Sequence, residues 1–332
     1  MTDAYLEAVD YYLPDGLVTN ADLAREFPDW EMGRVFEKTG IAARRVAGPD
    51  ETAADLAERA ARRLFDRTGV RPGQVDFLLL CTQTPDYFLP TSACVLQHRL
   101  GLPTAAGALD FNLGCSGYVY GLALARGLIV SGQASRVLLL TADTYTKLIA
   151  PADRAVRTLF GDGAAATLVA AAPPGAGPGI GPTVFGTDGG GANFLMVRDG
   201  GFRHPAGAAG GRPVRLEMNG AEIFTFALRV VPDAVARVLA RAGLAADRVD
   251  LYVFHQANRY MLEHLRAKMG IPPDRYFVGV EAVGNTVSAS IPIALRQAEE
   301  AGRLGAGATV VLVGFGVGLS WGATVVRWRP AA

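Results

Sequence analysis

The chain has 332 residues, 50% of them hydrophobic and 19% charged, which is enough apolar material for a large core and argues against disorder. Its 32 basic and 32 acidic side chains cancel, so no basic field exists to hold a nucleic-acid backbone. Three cysteines at irregular spacing argue against a disulfide framework and a zinc site.

From the N-terminus, Met1-Thr2-Asp3-Ala4 lacks the charged-then-apolar pattern of a signal peptide. The most apolar run, residues 121–130, is too short to cross a bilayer. Both predict a soluble, cytoplasmic protein without membrane insertion. Residues 64–69 read as a helix ending on the cap Gly69, with a short loop and a buried strand over 75–80. Cys81 on that strand and Cys94 in the next helix read as core cysteines, and His98 as an exposed helix residue. Residues 108–112 form a short strand, Leu113-Gly114 a turn, and residues 116–130 a helix apolar on nearly all sides, which predicts burial.

Cys115 falls where that strand turns into that helix. Two readings stand: a core cysteine, or a nucleophile whose thiolate is favoured by the helix N-terminus, with backbone N–H groups ready to hold an oxyanion. Residues 136–141 read as a central strand. In Phe160-Gly161-Asp162-Gly163, a turn into a strand, Asp162 reads as structural. The glycine- and proline-rich residues 173–212, including Pro173-Pro174-Gly175, predict a connector with one strand near 183–185 and with His204 inside it.

Beyond the connector the earlier pattern returns. Gly69 recurs as Gly243, and the strand at 75–80 recurs at 249–254, at one constant offset. This predicts two similar halves, 1–172 and 213–332, and the alternation of strands and helices predicts an α/β layered fold. His255 follows the repeated strand, where α/β folds place their chemistry, while His264 reads as a helix surface. Asn285 lies in a small, polar run before a helix with Pro292 in its first turn; it either caps that helix or serves a site. The tail over 313–322 is glycine-rich but lacks the lysine and hydroxyl residue of a phosphate loop, which leaves close backbone approach to an active site as its reading.

In this order these segments resemble the ketoacyl-acyl-carrier-protein synthase III family of the thiolase superfamily, over nearly the whole chain. The resemblance is carried by Lys38-Thr39-Gly40-Ile41 with Arg44-Arg45, Gly114-Cys115-Ser116-Gly117, Phe160-Gly161-Asp162-Gly163, His255-Gln256-Ala257-Asn258, Gly284-Asn285-Thr286, and Gly314-Phe315-Gly316 through Trp321-Gly322. It implies a thiolase-like five-layer αβαβα fold, a homodimer, acyl-CoA and acyl carrier protein as partners, and no metal or redox cofactor. It also implies a catalytic set of Cys115, His255 and Asn285, with an oxyanion hole from the N–H groups of Cys115 and Val317. Elongating synthases resemble Cys-His-His instead.

By the same resemblance Arg154 meets the nucleotide end of CoA and Asn258 its pantetheine arm, with Lys38 and Phe315 beside them. Arg34 stands where many members carry a tryptophan that stacks on adenine, and Tyr260 where many carry a basic residue for carrier docking. Leu89 matches a position that caps the partner's acyl pocket, often with phenylalanine; the smaller residue predicts room for a longer or branched primer. The implied reaction is acyl transfer from acyl-CoA to Cys115, then decarboxylative Claisen condensation with a malonyl thioester, in fatty-acid or specialised polyketide or lipid initiation. The alternative is an acyltransferase that hands the acyl group to a hydroxyl, amine or carrier thiol.

Overall fold

The structure, a computed structural model, describes residues 3–173, 179–207 and 213–329; residues 174–178 and 208–212 of the expected connector lie outside the described residues. The first half runs β1 (Ala4–Tyr12), β2 (Gly16–Thr19), α1 (Asn20–Glu26), α2 (Met32–Thr39), β3 (Ala43–Val46), α3 (Ala53–Thr68), β4 (Phe77–Cys81), α4 (Ser92–Arg99), β5 (Gly107–Phe111), α5 (Gly117–Val130), β6 (Arg136–Asp143), the short α6 (Arg154–Arg157) and β7 (Gly163–Ala171). The second runs β8 (Ile180–Thr187), β9 (Leu195–Val197), β10 (Leu216–Met218), α7 (Gly220–Ala242), β11 (Leu251–Phe254), α8 (Arg259–Lys268), α9 (Ser290–Glu300), β12 (Thr309–Gly316) and β13 (Ser320–Arg327).

The predicted duplication is visible strand by strand. One sheet has the order β1-β7-β6-β4-β5 and the other β8-β13-β12-β11. The β4·β6 and β11·β12 pairs are parallel, while β6·β7, β12·β13, β7·β1 and β13·β8 are antiparallel. Gly69 closes α3 and Gly243 closes α7, both in the left-handed conformation that favours glycine. Where β5 flanks β4 in the first sheet, the second keeps a single parallel bridge, Tyr252 to Tyr276. The sequence predicted one strand near 183–185; β8 is longer and forms an edge of the second sheet.

Strand alternation sorts the apolar side chains into layers. Leu78 and Leu80 join the core under α3 and α4, whereas Leu79 faces a central core with Leu122 of α5 and Leu295 of α9. In β12, Val310 and Leu312 share that central core, and Val311 and Val313 face the core against α7. The result is a five-layer αβαβα stack, with α5 and α9 between the sheets. Two expectations are corrected. The apolar α5 is not buried all round, since Leu124 and Val130 at its outer face are exposed. Cys94 is exposed on α4 rather than in the core, because the buried face of that helix is taken by Ala93 and Leu96. No described helix is long and apolar enough to cross a membrane.

Candidate active site

Cys115 lies between the end of β5 and the start of α5, buried at 4% exposure. The backbone N–H groups of Val317 and of Cys115 itself lie near its sulfur and act to lower its pKa. The end of β12 passes so close that a Cβ on Gly316 would stand 2.9 Å from Sγ, so only glycine fits there. Ser116 Oγ and Ser320 Oγ, 2.7 Å apart, tie the elbow to the start of β13.

The thiol is not poised as an anion. Burial first, and the Asp143 carboxylate second, push Cys115 up to about 12. This corrects the expectation of a helix-stabilised thiolate. Desolvation of a fully buried sulfur outweighs the few N–H groups that the helix start supplies. Asp143 ends β6 and accepts hydrogen bonds from the Gln83 N–H at 2.8 Å, the Ser288 N–H at 3.3 Å and the Ser288 hydroxyl. Burial raises its own pKa to about 7.

His255 continues the β11·β12 ladder, its N–H donating to Val313 O at 2.8 Å. Its ring meets the edge of Phe315, with centroids 5.6 Å apart. Nδ1 lies 2.7 Å from Ser290 Oγ, and that oxygen already accepts the Gln256 N–H at 3.3 Å. The Ser290 hydroxyl hydrogen has no other acceptor among the described residues, so it donates to Nδ1 and leaves the proton of the imidazole on Nε2. Burial lowers the pKa of His255 to about 3, so the ring is a neutral donor at physiological pH.

Asn285 is held by the first half: its N–H donates to Leu159 O at 2.8 Å, and its carbonyl accepts from the Gly161 N–H at 3.0 Å. The side-chain Oδ1 accepts the Val287 N–H at 3.0 Å, which fixes the amide orientation and frees Nδ2 to donate. Asp162, read as structural, binds the N–H groups of Ala47 and Thr146 at 2.8 and 3.0 Å.

Cys115, His255 and Asn285 line one inner cavity of about 90 Å³, together with Phe315 and Gly316. Through Leu159 and Asn258 it adjoins an outer groove of about 600 Å³ lined by Arg34, Lys38, Arg154 and Tyr260. The expected CoA residues are thus brought together, except that Phe315 sits inside against His255. Arg34 is paired with Glu31 at 2.8 Å, and Asn258 caps α8 by accepting the Met261 N–H at 2.9 Å. Leu89 is 80% exposed and lines none of these cavities. Sequence reasoning missed Ser290 and Asp143. Ser290 sat inside the run read for helix capping; Asp143 carries no sequence signal beyond being a carboxylate at the end of an apolar strand.

The 3-oxoacyl-[acyl-carrier-protein (ACP)] synthase III family model matches residues 109–189, and the model of that family's C-terminal part matches residues 239–328. The β-ketoacyl-[acyl-carrier-protein] synthase III of Caldanaerobacter subterraneus is 36% identical over 319 residues, covering 96% of this chain and 95% of that protein. The chain belongs to the 3-oxoacyl-[acyl-carrier-protein] synthase III family. It is therefore an acyltransferase of the condensing type. A solved synthase III structure is 52% identical with a TM-score of 0.95, covering 98% of this chain and 100% of the other. The priming β-ketosynthase of the R1128 polyketide pathway is 31% identical with a TM-score of 0.92, covering 99% and 97%.

Proposed function

We propose that this synthase III transfers an acyl group from acyl-CoA to Cys115 and condenses it with a malonyl thioester on an acyl carrier protein. In the first step Cys115 Sγ bonds to the acyl carbon, that carbon's bond to the CoA sulfur breaks, and the thiol proton ends on the CoA sulfur. The N–H groups of Val317 and Cys115 hold the transient oxyanion. In the second step the bond between the malonyl α-carbon and its carboxylate breaks and carbon dioxide leaves. The electron pair becomes an enolate whose oxygen accepts from His255 Nε2–H and Asn285 Nδ2–H. The enolate carbon attacks the acyl-enzyme, the C–S bond breaks, and the Cys115 thiolate takes a proton from solvent.

The observation that carries this reading is one cavity in which a buried thiol faces two neutral donors, one with its proton fixed on Nε2 by Ser290 and one with its amide fixed by Val287. Two neutral donors suit an enolate oxygen better than an imidazolium that would trap the thiolate as an ion pair. The cations Arg34, Lys38 and Arg154 around the outer groove suit the phosphates of CoA. The likeness to a priming ketosynthase supports a role in chain initiation, and the active assembly is proposed as a homodimer joined through the free edge of β5, where Leu109 is exposed.

Intact-protein mass spectrometry after incubation with acyl-CoAs, with Cys115→Ala as control, tests the first step. Release of carbon dioxide from a malonyl thioester tests the second. An adduct without carbon dioxide release returns the chain to the simple acyltransferase reading.

A further inference from the structure

A third cavity, of about 310 Å³, adjoins the inner one at Leu195, which borders both. Val317 joins it to the nucleophile: it lines this cavity, and its Cγ1 would stand 2.8 Å from a Cβ on Gly114, the residue before Cys115. With the CoA arm proposed to enter from the outer groove, this space offers room beside the inner cavity for an acyl group on Cys115.

Its walls are not uniformly apolar. Leu148, Met196 and Leu216 supply hydrocarbon, but Tyr145, Gln83 and Asn112 form a hydrogen-bonded chain along the lining. The Tyr145 hydroxyl donates to Gln83 Oε1, and Gln83 Nε2 donates to Asn112 Oδ1 at 3.0 Å. Tyr145 is 3% exposed, so its hydroxyl is fixed within the fold while Asn112 lies at the open rim. Asp143 pins the Gln83 backbone at 2.8 Å. A Cβ on Gly114 would stand 2.5 Å from Gln83 Oε1, which puts that amide against the residue preceding Cys115.

The chain leaves hydrogen-bonding capacity unspent. One hydrogen on Gln83 Nε2, both on Asn112 Nδ2 and a lone pair on the Tyr145 oxygen have no partner among the described residues. A plain hydrocarbon acyl group would strip water from these groups and return no hydrogen bond. A hydroxyl has one hydrogen and two lone pairs, so it can donate to the Tyr145 oxygen while accepting one hydrogen each from the Gln83 and Asn112 amides.

We propose that the primer is a short acyl group bearing a hydroxyl near its thioester end, selected by Tyr145, Gln83 and Asn112. This rests on the acyl-transfer reading above. The test is competitive loading of the full chain with butanoyl-CoA against 3-hydroxybutanoyl-CoA, and against 4-hydroxybutanoyl-CoA, read by intact mass. The adducts differ only by one oxygen. The wild-type protein favours at least one hydroxyacyl adduct by about tenfold or more, as sites built to bond a hydroxyl do. Tyr145→Phe and Asn112→Leu each move that ratio toward unity. A ratio at or below one for both hydroxy isomers, or ratios unchanged in both variants, overturns the inference alone. No adduct from any acyl-CoA overturns the acyl-transfer reading and this inference with it.

Discussion

The Ser290 hydroxyl and His255 Nδ1 lie 2.7 Å apart inside the site, and this contact decides which imidazole nitrogen carries the proton. Ser290→Ala releases that choice without touching the sulfur. The variant loads acyl groups on Cys115 at near the wild-type rate but condenses them about 10- to 100-fold more slowly, the scale on which outer orienting partners act. Rapid-quench separation of the two steps checks this, and 15N spectra of labelled histidine show the Nε2–H population falling. Equal losses in both steps would mean that Ser290 only supports the fold.

Asn285→Asp keeps the acceptor that binds the Val287 N–H but replaces the Nδ2 donor with an anion. Condensation falls by about 100- to 1000-fold, as when an oxyanion donor is removed, while acyl loading persists. Single-turnover carbon dioxide release from a malonyl thioester is the measurement.

Cys115 is pushed up to about 12 by burial and by Asp143. Alkylation of the resting enzyme by iodoacetamide therefore climbs steadily from pH 7 to 10 without a plateau. Asp143→Asn removes the second cause and raises the alkylation rate at pH 8. A plateau near neutral pH in the wild-type protein would contradict the burial argument.

Two buried groups give opposite pH dependences of stability. His255 has a folded pKa of about 3, below its ordinary value, so the stability it contributes above its unfolded pKa of about 6.5 is lost as pH falls toward 3. Asp143 has a folded pKa of about 7, above its ordinary 3.8, so its contribution is complete below 3.8 and lost as pH rises through 7. The melting temperature of Asp143→Asn relative to wild type therefore increases from pH 5 to pH 8. The condensation rate carries no inflection from His255 near pH 6.5.

Leu109 lies on the free edge of β5 at 47% exposure. If the proposed homodimer pairs through this edge, Leu109→Lys shifts it to monomer in sedimentation equilibrium, because a charge at an edge strand opposes pairing.

The duplication was legible because it is written in local signals: the glycine caps at Gly69 and Gly243 and the apolar strands that follow them. Cys115, His255 and Asn285 stood out because each interrupts a recognisable element at its end. What stayed hidden was set by tertiary distance. Nothing in the residues around Cys94 says which way its helix turns, and the face occupied by Ala93 and Leu96 emerges only on packing. The ionisation of Cys115 could not be read from a helix start alone, since Asp143 arrives from another strand and burial comes from both sheets. Ser290 closed the small, polar run after Asn285 and carried no signal of its own until His255 was placed beside it.

The backbone bonds between Asn285 and the Leu159–Gly161 segment carry a consequence for the chain's architecture. The sulfur belongs to one half, while the imidazole and the carboxamide belong to the other, so the cavity they share exists only where the two halves meet. The doubled architecture thus divides the candidate reaction centre between its two halves, and neither half holds it alone.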